Sequence, residues 1–223
     1  MSNTQLKLPE SGLDRNSILS QMKDIGSNDA NYRDGKTWSL VYYLGDDYTN
    51  FLKEAYGMFF SQNGLNPMAF KSLKKFESDI IKMTASMLNG GPESCGTITS
   101  GGTESCLLSV LTYRELARAK KPWIRKPEMI APESIHVAFQ KAAKYFDVKM
   151  VLAPLGKDYR VDVKEVRKRI NRNTIMIIGS APCYPFGVID PIEELAELAM
   201  KNKIPFHVDS CLGGYLLPFA EKE

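Results

Sequence analysis

From about residue 93 onward, short apolar segments alternate with amphipathic ones, and this alternation constrains the fold more than any other feature of the sequence. Strands are predicted at 128–132, 149–154, 174–180 and 204–209, and helices at 102–121, 134–146, 163–170 and 192–201. Repeated strand–helix units fold into a mostly parallel sheet with helices on both faces. The predicted class is therefore α/β, with ligands expected at the carboxyl ends of the strands.

The preceding part of the chain shows helical patterns without strands. Helices are predicted at 17–25, 46–60 and 70–88, and an apolar, aromatic segment lies at 38–43. The third helix is expected to bury one face, formed by Leu73, Phe76, Ile80, Ile81, Met83 and Met87. We therefore divide the chain into residues 1–60, an arm and a dimer- and substrate-side segment, and residues 61–223, a large ligand-binding domain.

Composition excludes several classes of protein. The chain has 223 residues, of which 43% are hydrophobic, and its net charge of +3 comes from interspersed basic and acidic residues, so a nucleic-acid partner is not indicated. The four cysteines form no CxxC pair and there are two histidines, which favours reduced thiols and no structural zinc. No apolar run approaches the roughly 20 residues of a membrane span. The protein is expected in the cytoplasm.

Small residues run directly into an amphipathic helix at residues 98–118. Gly101 and Gly102 allow a ligand to approach the backbone, Thr103 or Ser105 can cap the helix, and the first helical N–H groups then point outward. This pattern is typical of an anion site that suits a phosphate. It lacks the lysine of a Walker loop and the three glycines of the dinucleotide fingerprint, and an ordinary capped helix start is the alternative.

Two residues at predicted strand ends indicate which phosphorylated ligand the site binds. Asp209 ends a strand predicted to be buried, where an ionised carboxylate is costly unless a cation such as a protonated ring nitrogen faces it. His136 follows another strand end and either stacks on a flat heteroaromatic ring or simply hydrogen-bonds at a helix start. His207 is expected to pack beneath the site. A phosphate cradle, a stacking ring and an acid together fit pyridoxal phosphate.

Four segments carry a resemblance to a known family. They are Thr99-Ser-Gly-Gly-Thr-Glu-Ser105, Ala131-Pro-Glu-Ser-Ile-His-Val-Ala-Phe-Gln-Lys-Ala-Ala143, Asn173-Thr-Ile-Met-Ile-Ile-Gly-Ser-Ala-Pro182 and His207-Val-Asp-Ser-Cys-Leu-Gly-Gly214. In order and spacing they resemble the sphingosine-1-phosphate lyases, which are pyridoxal-phosphate enzymes of fold type I related to the group II amino-acid decarboxylases. The similarity runs from about residue 8 to the end of the chain.

The resemblance implies which residues bind the cofactor and which are catalytic. The implied cofactor-binding residues are Ser100, Gly101, Gly102 and Thr103 around the phosphate, His136 on the ring, Asp209 at the pyridine nitrogen, and Ser180 and Cys211 along the pocket. The implied catalytic residues are His136, Asp209, Tyr42 and Asn66. Tyr42 falls at the family's active-site tyrosine, and Asn66 at an Asn-Pro pair near the substrate.

Two departures from the family lie on the substrate side. The family's Asn-Pro-Leu-His segment carries a histidine, whereas Asn66-Pro-Met-Ala-Phe70 aligns with a three-residue deletion that removes it. The family's Pro-His-Gly is Pro185-Phe186-Gly187 here. The cofactor side is intact, so the resemblance specifies the cofactor more firmly than the substrate.

A third departure concerns the lysine that binds the cofactor covalently. In the family it follows the aspartate by about 35 residues, in an Asp-x-His-Lys segment. Only 14 residues follow Asp209, and Lys222 lacks that context. We therefore expect the chain to be the amino-terminal part of a longer enzyme, to end before the small carboxyl-terminal domain, and to be inactive alone.

For the complete enzyme, the resemblance implies a homodimer that cleaves a phosphorylated long-chain base to a fatty aldehyde and phosphoethanolamine. Cleavage of the bond to a carboxylate, as in an amino-acid decarboxylase, is the alternative within the same chemistry. A third possibility is a truncated, non-catalytic paralogue, favoured by the missing lysine and the two lost histidines. The retained Gly102, His136 and Asp209 speak against a decayed cofactor site.

Overall fold

The computed structural model describes residues 8–37 and 40–220. By its internal contacts the chain divides into two units, Met1–Gln62 and Asn63–Glu223. Among the described residues, no helix combines the length and the apolar character needed to cross a membrane.

The unit Met1–Gln62 is helical, as the sequence predicts. Helix α1 spans Arg15–Gly26, a short 3₁₀ turn spans Tyr32–Asp34, and helix α2 spans Asp46–Met58. The Asp14 carboxylate caps α1 by accepting the N–H groups of Asn16 and Ser17. The expected helices at 17–25 and 46–60 are therefore confirmed, while the first two residues of the aromatic segment 38–43 lie outside the described residues.

The unit Asn63–Glu223 contains the predicted alternation of strands and helices. Its helices are α3 (Lys71–Met87), α4 (Gly102–Lys120), α5 (Val137–Phe146), α6 (Val163–Arg169), α7 (Ile192–Lys201) and α8 (Leu217–Ala220). Its strands are β1 (Glu128–Pro132), β2 (Lys149–Ala153), β3 (Thr174–Ser180) and β4 (Phe206–Asp209). The strands form one parallel sheet in the order β2-β1-β3-β4. The predicted α/β class with a parallel sheet is confirmed.

Helices cover both faces of this sheet because alternate strand residues point to opposite sides. On one face, Met129 and Ile178 pack with residues of α4 and α5 such as Val110 and Phe139. On the other face, Ile130 and Ile177 pack with residues of α6 and α7. All residues of β1 and β3 are buried, which explains their nearly continuous apolar sequences.

Strand β4 differs from the sequence prediction because it lies at the edge of the sheet. All four of its residues are half-buried, whereas we expected a buried strand. It pairs with β3 along one side only, which leaves its other side without a neighbouring strand in the described sheet. The strand begins at Phe206 rather than at residue 204, since Pro205 has no N–H to contribute to a ladder.

Other expectations need correction. No residue of α3 is buried: of its predicted apolar face, Leu73, Ile81 and Met87 are half-buried and Met83 is 66% exposed. Helix α5 begins at Val137 instead of residue 134. The short helix α8 is not predicted by the sequence.

Candidate functional site

Helix α4 presents an open amino terminus at the carboxyl edge of the sheet. Gly101 occupies the N-cap position, and the first intrahelical bond runs from Ser105 N–H to the Gly101 carbonyl at 3.1 Å. The N–H groups of Gly102, Thr103 and Glu104 precede that bond and so have no intrahelical acceptor. Together with the helix dipole they form a site that favours an anion such as a phosphate.

The polar side chains around this turn do not cap the helix, contrary to our expectation for Thr103 and Ser105. Ser105 instead shares a hydrogen bond of 2.7 Å with the Thr99 hydroxyl. Gly101 has no side chain to offer, so the helical N–H groups stay available to a ligand. This feature favours the anion site over an ordinary capped helix start.

Ser100 is committed to a neighbouring carboxylate. Its N–H and its hydroxyl both donate to Glu104 Oε2, each at 2.6 Å. These two bonds, the hydroxyl first, lower the pKa of Glu104. A phosphate that used Ser100 would therefore have to displace Glu104, whereas the N–H groups of Gly102 and Thr103 need no such exchange.

Asp209, at the end of β4, meets the first turns of α4. The Cys211 N–H donates to Asp209 Oδ1 at 3.3 Å, and a Cβ placed on Gly102 would stand 3.6 Å from the Cys211 sulfur. Cys106, on the second turn of α4, is buried. Its burial, together with the nearby Asp209 and Cys211, raises the pKa of Cys106 to about 12. The structure therefore brings Gly102, Asp209 and Cys211 together, as the sequence predicts.

Asp209 is less buried than predicted. Among the described residues Asp209 is half-buried, whereas the sequence predicts a buried carboxylate. The carboxylate remains available to pair with a cation, because its one described donor is the Cys211 N–H. Among the described residues, no cluster of three or more metal-ligating side chains is present.

Ser180 and Asp209 are directly paired across the sheet. They are register partners at the ends of β3 and β4, and the Ala181 N–H donates to the Asp209 carbonyl at 2.8 Å. Ser180 is buried, and its own N–H donates to Asp190 Oδ2 at 2.9 Å. The two strand ends are thus connected by backbone bonds at the place where the sequence puts the cofactor pocket.

Gly213 allows the loop after β4 to approach the loop after β3. A Cβ on Gly213 would lie 2.1 Å from the Ala181 carbonyl oxygen, far inside van der Waals contact. Only glycine fits this position, and the close approach brings residues 210–214 against the end of β3. Sequence reasoning quoted this glycine within a motif and gave it no role.

His136 lies at the carboxyl end of β1, next to β3 in the sheet, and is exposed. It is the N-cap of α5, where its Nδ1 accepts the Ala138 N–H at 3.2 Å. Both readings from the sequence are therefore compatible: the ring hydrogen-bonds at the helix start, and its exposed surface remains free to stack on a ligand. The Nδ1 contact fixes the tautomer with the proton on Nε2.

His207 packs beneath the site, as expected. Its ring lies 5.6 Å from the Phe139 ring and 6.4 Å from the Tyr113 ring, both edge-on. Burial lowers the pKa of His207, and the Asp209 carboxylate partly opposes this shift. The imidazole is therefore a neutral packing residue on the same face of β4 as Asp209.

The two residues expected on the substrate side lie on other segments of the chain. Tyr42 belongs to the unit Met1–Gln62 and is 78% exposed. Asn66 is exposed, and its side-chain oxygen accepts the N–H groups of Met68 and Ala69 at 3.0 and 3.3 Å, so it stabilises the turn before α3. Lys222 lies outside the described residues.

The family model that describes the pyridoxal-dependent decarboxylase conserved domain matches residues 6–222. The chain belongs to the pyridoxal-dependent decarboxylase family. The match covers the open turn of α4, His136, Ser180 and Asp209, so the predicted family and its pyridoxal cofactor are confirmed.

Relatives within this family are sphingosine-1-phosphate lyases. The chain is 49% identical over 215 residues to sphingosine-1-phosphate lyase 1 of Rattus norvegicus, covering 96% of this chain and 38% of the relative. It is 47% identical over 213 residues to the sphingosine-1-phosphate lyase of Arabidopsis thaliana, covering 92% and 39%. The chain therefore spans about two-fifths of the length of the curated relatives it matches.

A solved structure has the same fold. The sphingosine-1-phosphate lyase of Burkholderia pseudomallei matches with a TM-score of 0.87 at 36% identity, covering 98% of this chain and 52% of that one. The predicted resemblance is confirmed by both comparisons.

The residues of this pyridoxal-dependent decarboxylase family member fit its cofactor on structural grounds. The open α4 turn suits a phosphate, and the half-buried Asp209 carboxylate suits a protonated ring nitrogen. Sequence reasoning missed Asp190 and Gly213, which connect the loops behind this site. The double glycine at 213–214 was the available signal for one, whereas Asp190 before Pro191 has the sequence of an ordinary helix start.

Proposed function

We propose that this chain forms the cofactor-binding part of a pyridoxal-phosphate-dependent carbon–carbon lyase that acts on a phosphorylated long-chain base. The 49% identity to a sphingosine-1-phosphate lyase over 96% of the chain carries this proposal. The arrangement of the α4 turn, Ser180, Asp209 and Cys211 supports it, because these residues meet at the carboxyl edge of a parallel sheet, where ligands bind in such folds.

In this proposal the α4 turn binds the cofactor phosphate. The N–H groups of Gly102 and Thr103 supply the donors, and Gly102 lets the phosphate approach because it carries no side chain. Ser100 contributes only when Glu104 releases it. The bound ring acts as an electron sink for the bond that breaks next to the substrate amine.

His136 and Asp209 hold that ring. The exposed imidazole of His136 would lie against one face of the ring, and its orientation is set by the bond from Ala138 N–H. The Asp209 carboxylate would accept a hydrogen bond from the protonated ring nitrogen and so favour the protonated form of the ring. Ser180 and Cys211 line the pocket on either side of Asp209.

The substrate side is proposed more coarsely. Tyr42 and Asn66 are assigned to substrate contacts by their motif positions, and the site lacks the two histidines that the resembled family has there. Which bond breaks depends on which one the substrate contacts hold perpendicular to the ring. We favour carbon–carbon cleavage over loss of a carboxylate because the similar relatives are lyases.

The reaction is tested on the protein encoded by the complete reading frame, followed past codon 223 for a downstream Asp-x-His-Lys. The protein is incubated with pyridoxal phosphate and a phosphorylated sphingoid base, and fatty aldehyde and phosphoethanolamine are measured by mass spectrometry. Release of carbon dioxide from an amino acid instead would support the decarboxylase. A reading frame without that lysine and without either product would support the non-catalytic paralogue.

Cofactor docking is tested without any turnover. Cys211 is exposed and its sulfur is near Gly102, whereas Cys106 is buried with a raised pKa of about 12. Iodoacetamide should therefore label Cys211 and not Cys106, and pyridoxal phosphate should slow the labelling of Cys211. Cys95, which is also exposed, is the internal control. Equal protection of both exposed thiols would contradict docking at α4.

We also propose that Lys222 does not bind the cofactor covalently, so the 223-residue chain is inactive alone. A visible absorbance band that survives dialysis and disappears in Lys222→Ala would contradict this.

The unpaired cysteines fit a cytoplasmic location. We propose a homodimer because α2 exposes apolar side chains such as Phe51 and Tyr56. A fully active monomer in light scattering would refute it.

A further inference from the structure

A buried carboxylate lies behind the loop that follows β3. Asp190 is 2% exposed, and its two oxygens accept from separate segments: Oδ1 from Val161 N–H at 3.0 Å and Oδ2 from Ser180 N–H at 2.9 Å. The Asp190 N–H also donates to the Ser180 carbonyl at 3.0 Å. Asp190 therefore binds both backbone polar groups of Ser180 and connects that residue to the segment before α6.

This position requires a carboxylate. Two N–H donors converge on one side chain, and only a carboxylate offers two acceptor oxygens without a donor of its own. Burial raises the pKa of Asp190, and the two backbone N–H groups act in the opposite direction. An Asn side chain offers one acceptor oxygen and one NH₂ group, so one of the two N–H donors would lose its acceptor.

Asp190 is connected to Asp209 through the paired ends of β3 and β4. Ser180 and Asp209 are register partners, and the next residue, Ala181, donates its N–H to the Asp209 carbonyl at 2.8 Å. In the described sheet β3 is the strand that pairs with β4. A shift of Ser180 would therefore move Asp209.

We propose that Asp190 is a positioning residue that holds Ser180, and through the β3–β4 pairing Asp209, in the geometry that the cofactor needs. This inference rests on the proposed function. Asp190 itself is buried behind the strand end and acts through Ser180 and Asp209.

The test compares Asp190→Asn with the unchanged chain in two assays. Asn has one acceptor oxygen, so the Val161 or the Ser180 N–H loses its partner. Amide hydrogen exchange at Ala181, followed by NMR, should become at least about tenfold faster. Equilibrium dialysis against pyridoxal 5′-phosphate should show an affinity weaker by about tenfold.

Asp162→Ala is the matched control. The Asp162 carboxylate accepts the N–H groups of Lys164 and Glu165 at 2.8 and 3.4 Å as the N-cap of α6. The Asp162 side chain makes no described bond to Ser180 or Asp209, so its loss should lower the urea midpoint and leave both the Ala181 exchange and the cofactor affinity unchanged. A merely structural role for Asp190 would give the same pattern as this control.

The outcomes separate this inference from the proposed function. An unchanged Ala181 exchange in Asp190→Asn, or a faster exchange with unchanged cofactor affinity, overturns the positioning role. Failure of the unchanged chain to bind pyridoxal 5′-phosphate overturns the proposed cofactor site itself. If Asp190→Asn does not fold, Asp190→Glu is used in both assays, because it keeps two acceptors but displaces them by one methylene.

Discussion

Replacement of Gly213 by Ala tests how strongly the proposed cofactor site depends on the contact between the loop after β3 and the loop after β4. The new Cβ would lie 2.1 Å from the Ala181 carbonyl oxygen and 2.7 Å from Leu217 Cδ1. Leu217 can rotate, but Ala181 is backbone and its N–H is bonded to the Asp209 carbonyl at 2.8 Å. The loops must separate by about 0.9 Å before the Cβ–oxygen distance reaches the 3.0 Å below which real contacts essentially never fall.

The cost follows from this displacement. Overpacking of a well-packed site costs about 1–3 kcal/mol, and the strained Ala181–Asp209 hydrogen bond adds about 1 kcal/mol. We therefore expect Gly213→Ala to lose about 2–4 kcal/mol of unfolding free energy and to bind pyridoxal phosphate more weakly, because Asp209 moves with its carbonyl.

Urea denaturation followed by circular dichroism measures the first effect, and equilibrium dialysis the second. The control is Gly91→Ala, since a Cβ on Gly91 meets nothing within 4 Å and should change the midpoint little. A Gly213→Ala chain that unfolds at the wild-type urea concentration and binds the cofactor normally would refute the close approach of the two loops.

Three further predictions test single residues. Asp209→Asn in the complete enzyme should slow turnover by several orders of magnitude while cofactor binding weakens much less, and turnover restored by excess cofactor would contradict the role of Asp209. Gly102→Ala should leave stability within about 0.5 kcal/mol, because its Cβ makes only an ordinary 3.6 Å contact with Cys211, yet weaken cofactor affinity in dialysis. The pKa of Glu128 is lowered by hydrogen bonds from Asn171 and Lys149, so its contribution is present above the unfolded value of 4.5 and is lost as pH falls through the lower folded value. Glu128→Gln should therefore cost about 1–2 kcal/mol at pH 7, and the cost should decrease as the pH falls below 4.5 in urea melts.

The sequence predicted the central part of the fold closely because local patterns there agree with tertiary packing. The strands Glu128–Pro132 and Thr174–Ser180 have the predicted bounds, because both are buried on two faces and their apolar sequence therefore runs along the whole strand. Helix α5 begins three residues later than predicted because the His136 side chain takes the N-cap. Whether a side chain caps a helix depends on its rotamer, which hydrophobic periodicity does not predict.

The sequence indicated the site residues that stand at turns and strand ends, and it missed the residue whose partners are distant in sequence. Gly102, His136 and Asp209 stand at turns that follow from strand and helix boundaries, so their gathering at one edge follows from the parallel sheet. Asp190 was missed because its partners, Val161 and Ser180, are far from it in sequence. The expected side-chain cap from Thr103 or Ser105 is not formed, and the Ser105 hydroxyl instead bonds to the hydroxyl of Thr99, six residues before it.

By itself the sequence determined the α/β alternation, the open glycine turn before α4 and the acid at the end of β4, because each follows from the local preferences of consecutive residues. The tertiary structure decided the rest. It leaves the residues of β4, including Asp209, half-buried, and it buries no residue of α3. It also brought Gly213 within contact of the Ala181 carbonyl and Asp190 behind Ser180. These features depend on tertiary contacts between segments that are distant in sequence, and sequence periodicity does not predict such contacts.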